Sequence, residues 1–232
     1  MKSEYDILLS PPFMGEEEKK LVVECLDKNW ISTAGPYSGQ FVSEILEVVD
    51  KKYGLATNTG TSAIELGLIG LGVEKGDMVA VPAWTFSATP NAVLNVGAVP
   101  VFVDIDKKLG ICPVHLEEAI IKQKRISSPI KAIIGVQPPN GIFDTSAIDK
   151  IAKSYDIPVL EDAAGSLFAS FEGRSLGGLT DVGCFSFNGN KIITGGGGGM
   201  VVTDDKAIFE KCRLYSANSQ TPAYVANVPG SN

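Results

Sequence analysis

A chain of 232 residues with 44% hydrophobic side chains can bury a real core, and one domain is the expected organisation. The net charge of -7 is spread without a basic block, which argues against nucleic acid as a partner, because phosphate backbones demand clustered Lys and Arg. No run approaches the roughly 18 uninterrupted apolar residues of a membrane span, and the start MKSEYDILLS lacks a basic, apolar and cleavable leader, so a cytoplasmic protein away from membranes is expected. Cys25, Cys112, Cys184 and Cys212 stand far apart and His115 is the sole histidine, which leaves no ligand set for a zinc cluster and suits buried free thiols.

In chain order, residues 15–28 and 39–53 carry apolar side chains at helical spacing on either side of a turn-rich segment, and predict two entry helices. Short β-branched runs then alternate with helical stretches. Residues 78–81, 99–103, 132–136, 158–160 and 182–187 read as strands, and residues 63–71, 87–96, 116–122 and 146–155 as helices. That alternation implies βαβ crossovers, hence an α/β fold with a mostly parallel sheet flanked by helices. A strand over 199–203 and a helix over 205–216 follow, and the last residues are turn-like.

Four local features carry chemistry. In NTGTSAIELGL, a strand-like segment runs through Gly60, Thr61 and Ser62 into a helix, and free N–H groups at a helix start beside two hydroxyls make a phosphate cradle. An N-cap with a glycine turn accounts for the same residues. In VLEDAAG, Asp162 ends a short apolar strand, where open parallel sheets bind ligands; a carboxylate there can hold a pyridinium nitrogen protonated, or simply cap a helix. Its neighbour Glu161 reads as a structural or solvated group. In CFSFNGNKIITGGGGG, a strand delivers Ser186 and then, in an Asn-Gly-Asn turn, Lys191, an amine able to form a Schiff base and shuttle a proton, or an ordinary surface charge. In PAWTFSATPN, Trp84 and Phe86 follow a strand end, as core or as a platform for a flat ring.

Taken together, and with the entry segment WISTAGPYSGQF and the terminal GSN, these motifs resemble in kind and order the sugar aminotransferases of the DegT/DnrJ/EryC1/StrS family, over residues from about 9 to 232. The resemblance implies fold type I and pyridoxal 5'-phosphate as cofactor. It makes Lys191 the residue that bonds the cofactor, Asp162 the partner of the pyridine nitrogen and Phe86 the ring stacked on it. Gly60, Thr61, Ser62 and Ser186 become phosphate contacts, and Asn232 reaches the phosphate of a neighbouring subunit, so a homodimer is implied. The implied reaction passes an amino group from glutamate to a keto group of a nucleotide-linked sugar, with a UDP- or dTDP-linked 4-keto-6-deoxyhexose as the narrower reading and surface glycans as the destination.

The sequence also departs from the family's pattern. Gly165 stands where relatives carry Gln, Glu or His, Gly195 where a second threonine is common, and VQPPNGIFD replaces a loop with histidine or glycine. The family continues into a smaller C-terminal domain that these residues do not include, so residues 1–232 are expected to form the cofactor-binding large domain. The alternative is a non-catalytic large-domain fragment that at most binds the cofactor or a partner subunit. A Rossmann reading of GLIGLG at residues 67–72 has little support, because its glycines sit late in a predicted helix.

Overall fold

The computed structural model describes residues 10–31, 35–138 and 141–216. Helices α1 (Glu16–Asp27) and α2 (Tyr37–Val49) lead into strand β1 (Tyr53–Thr57) and helix α3 (Gly60–Gly70). Then come β2 (Met78–Pro82), α4 (Ala88–Asn95), β3 (Val99–Val103), α5 (Pro113–Arg125), β4 (Ile130–Val136), α6 (Thr145–Tyr155) and β5 (Val159–Asp162). A hairpin of β6 (Ser170–Phe171) and β7 (Arg174–Ser175) precedes β8 (Val182–Ser186), β9 (Gly199–Thr203) and α7 (Lys206–Ser216).

The main sheet has seven strands in the order β1-β9-β8-β5-β4-β2-β3. Strands β3, β2, β4, β5 and β8 pair in parallel, while β9 is antiparallel to both β8 and β1. It follows that β1 points the same way as the parallel block. Six strands therefore deliver their carboxyl ends to one edge, where open α/β sheets bind ligands. The α/β expectation with a mostly parallel sheet holds.

Alternation along the strands sorts side chains onto two faces. In β2, Val79 and Val81 join the cluster under α3, α4 and α7, whereas Ala80 joins the cluster under α5 and α6. A third cluster sets Ile45 and Val49 of α2 against Phe185, Phe187, Met200 and Val202. Helix α1 differs, since none of its residues is buried, and Leu21, Val22 and Leu26 line an open apolar groove with Trp30 and Phe41.

Two expectations need correction. The helix predicted over 39–53 stops at Val49, because Asp50 adopts a left-handed conformation and Tyr53 is drawn into β1 by pairing with Thr203. Gly60, Thr61 and Ser62 are not a strand-like lead-in but the first turn of α3, capped by Thr59, whose side chain accepts from the Ser62 N–H. The β6–β7 hairpin was not anticipated, although Glu172 and Gly173 both have positive φ, 50° and 76°, the geometry of a tight two-residue turn.

Candidate active site

The carboxyl-end edge of the sheet builds a cleft of about 360 Å³, within the range of small-molecule sites. Each wall comes from a different strand end. Beyond β1, Thr59 caps α3 and Gly60 and Thr61 begin it; beyond β2, Phe86 lies just before α4 and Thr89 in its first turn; Asp162 ends β5; Ser186 ends β8, with Asn188, Asn190 and Lys191 in the turn after it. The register locks these ends side by side, as Gly199 pairs with both Thr57 and Ser186, and Asp162 pairs with Cys184.

At the first wall, the Ser62 N–H is taken by Thr59 Oγ1 at 3.0 Å, which leaves the Gly60 and Thr61 N–H groups without a partner among the described residues. Two free donors at the positive end of a helix suit an anion. The cradle is tight, for a Cβ on Gly60 would lie 2.7 Å from Ser186 Cβ and 3.0 Å from its hydroxyl oxygen. Only glycine lets the helix start approach the Ser186 hydroxyl. Ser62 is turned elsewhere, toward a neighbouring cavity shared with Asn58, Glu65 and Tyr215. Thr59, which sequence reasoning passed over, lines the cleft instead.

Asp162 is 6% exposed. Its Oδ2 accepts from Thr89 Oγ1 at 2.8 Å and its Oδ1 from the Ala164 N–H at 3.2 Å. Burial pushes its carboxyl above the ordinary range, and Thr89, Ala164 and the charge of Lys191 offset that only in part. A buried carboxylate whose ionised form is under-compensated is a natural partner for a ring N–H cation. Glu161, adjacent on the strand, faces the other way and is buried rather than solvated. It accepts from Gln137 Nε2 at 2.6 Å, the Gly177 N–H at 2.7 Å and the Leu179 N–H at 3.0 Å, so it ties β4 and the 177–179 loop to β5. Burial raises its carboxyl too, against those donors and the charge of Lys51.

The Lys191 turn is closed at its base. The Lys191 N–H donates to Asn188 O at 2.9 Å, and Phe187 O accepts from the Gly195 N–H and from Thr194 Oγ1, each at 3.1 Å. Lys191 is the one Lys or Arg lining the cleft among the described residues. Phe86 also lines it, 79% exposed, while Trp84 does not. A Cβ on Gly165 would meet nothing within 4 Å, so the absence of a side chain there leaves open space. Asn232 lies outside the described residues.

Gly60, Thr61, Phe86, Asp162, Ser186 and Lys191 thus come together from segments far apart in sequence. Anion donors, a buried acid and an amine in one cleft match the phosphate, ring nitrogen and aldehyde of pyridoxal phosphate in kind.

The sequence model of the DegT/DnrJ/EryC1/StrS aminotransferase family matches residues 12–232. The chain belongs to that family. EpsN of Bacillus subtilis, which carries the name of a pyridoxal phosphate-dependent aminotransferase, is 39% identical over 218 residues, 94% of this chain and 56% of its own length. A GDP-perosamine synthase of Escherichia coli O157:H7 is 38% identical over 87% of this chain and 54% of its own. Among solved structures, an aminotransferase from Psychrobacter cryohalolentis superimposes with a TM-score of 0.85 at 30% identity, covering 96% of this chain and 58% of that one. The fold is that of the fold type I aminotransferases, and pyridoxal 5'-phosphate is the cofactor of the family. The chain spans little more than half the length of these relatives.

Proposed function

We propose that this chain forms the cofactor-binding domain of a pyridoxal phosphate-dependent aminotransferase acting on the keto group of a nucleotide-linked sugar. The observation that carries this reading is the meeting of Lys191, Asp162 and the Gly60–Thr61 donors in one cleft at the carboxyl edge of the sheet. In this reading the Gly60 and Thr61 N–H groups and the Ser186 hydroxyl hold the phosphate, Phe86 covers one face of the ring, and Asp162 faces the ring nitrogen.

When bound, the cofactor supplies an electron sink that stabilises negative charge at the carbon losing its proton. The Lys191 amine bonds the cofactor at rest, and its Nζ carries the proton to and from the reacting carbon. Asp162 in its ionised form holds a proton on the ring nitrogen, and the apolar strands beneath it keep water out. Phe86 excludes water from the open side.

The donor is glutamate and the acceptor a 4-keto-6-deoxyhexose linked to a nucleotide. The naming of a relative as GDP-perosamine synthase supports a nucleotide-linked sugar and adds GDP to the UDP and dTDP carriers implied by the motifs. A homodimer with Asn232 completing the neighbouring site, and a cytoplasmic location, belong to the same proposal. No helix among the described residues is long and apolar enough to cross a membrane.

The half-reaction tests this without knowledge of the sugar. Protein loaded with pyridoxal phosphate and mixed with glutamate should release about one equivalent of 2-oxoglutarate per site, and Lys191→Ala should release none. Binding of the cofactor without any release would favour the second reading, a large-domain piece that holds cofactor but does not turn over.

A further inference from the structure

The mouth of the cleft and its buried acid are joined by hydroxyls. Thr89, 0% exposed, donates to Asp162 Oδ2 at 2.8 Å, and Thr89 Oγ1 lies 2.9 Å from Thr85 Oγ1. Thr85 Oγ1 in turn lies 3.4 Å from the carbonyl oxygen of Phe86. A threonine hydroxyl has one proton to give and two lone pairs to accept with. If Asp162 is ionised, the Thr89 proton must point at the carboxylate, so the bond between the threonines requires Thr85 to donate to Thr89. If Asp162 carries a proton on Oδ2, it can donate to Thr89, Thr89 to Thr85, and Thr85 to Phe86 O. The chain has two directions, and the protonation state of Asp162 selects between them.

We propose that Thr89, oriented by Thr85, is the positioning residue that holds Asp162 in its ionised form and links the state of that carboxylate to the Phe86 segment. Three arguments support it. Among the described residues Thr89 is one of two donors to Asp162, the other being the Ala164 N–H. It is a buried hydroxyl in the first turn of α4, where an apolar residue would fill the same space at no polar cost. The remaining charges near Asp162 come from other elements and cannot replace it: Lys191 lies in the turn after β8, Glu161 is engaged by Gln137, Gly177 and Leu179, and the Cys184 thiol on β8 is pushed well up by burial and stays neutral. Its value to the cofactor rests on the reading of the cleft given above, whereas its effect on Asp162 does not.

The test therefore has an arm without cofactor. The carboxyl carbon of Asp162 is followed by NMR in cofactor-free protein labelled with carbon-13 aspartate, the signal being assigned by its loss in Asp162→Asn. Thr89→Val should raise the titration midpoint of Asp162 above that of the unmodified protein. Thr89→Ser should restore it, and Thr85→Val, at a partly exposed site, should raise it by less. In the second arm, Thr89→Val should weaken pyridoxal phosphate binding by about tenfold, because a hydrogen bond to a charged acceptor has been lost. An unchanged midpoint in both Thr89→Val and Thr85→Val overturns the proposal. A raised midpoint in a protein that binds no pyridoxal phosphate upholds the relay and refutes the cofactor reading instead.

Discussion

Asp162 and Glu161 are neighbours with opposite duties, and the period of a strand explains the split. Successive side chains on β5 point to opposite faces, so Asp162 turns to Thr89 on α4 while Glu161 turns to Gly177 and Leu179. Burial raises the Asp162 carboxyl above its ordinary value of 3.8. A group with a raised folded-state pKa contributes stability that is fully present below its unfolded pKa and is lost as pH rises through the folded one. Near neutral pH the ionised side chain therefore costs the cofactor-free protein stability. Asp162→Asn should melt higher than the unmodified protein near pH 8, with the gap closing as pH falls toward the ordinary aspartate range. Calorimetry across that range checks this, and a lower melting temperature for the variant at every pH would contradict it. The place of Asp162 at the cleft was legible in the sequence because it ends an apolar run, and that of Lys191 because a tight turn follows a strand. Thr89 was not, since its partner lies 73 residues away and is met only once the fold brings the start of α4 to the end of β5.

At the scale of elements, the site depends on strand ends being level. β8 sits between β5 and β9, and Gly183 on it pairs with Glu161 and Val202. A Cβ at Gly183 would collide with the backbone carbonyl of Gly177, whose own N–H is bonded to Glu161. Gly183→Ala should thus displace the 177–179 loop and leave a buried carboxylate short of donors, at a cost of about 3 kcal/mol in urea unfolding. A loss below about 1 kcal/mol would mean that the loop yields freely. The alternating pattern gave away the parallel block, yet β1 stayed hidden, because Val49 and Tyr53 keep helical spacing across the break at Asp50. What makes residues 53–57 a strand is β9, with partners 142 to 150 residues downstream, and no local signal reports that pairing.

Across the whole molecule, one antiparallel strand, β9, lets β1 share the direction of the parallel block, and this brings Gly60 beside Ser186. The family, the sheet type and the segments that meet in the cleft were readable from motif order. The tightness of the cradle and the orientation of Ser62 away from it depend on packing distances that sequence does not carry. The proposed function stands on Lys191 bonding the cofactor in this cleft. Incubation with pyridoxal phosphate, reduction with borohydride and mass spectrometry of the digest test it directly. A pyridoxyl adduct on Lys191 is expected, diminished in Gly60→Val, where the cradle is filled. An adduct on other lysines alone, or none at all, would contradict it.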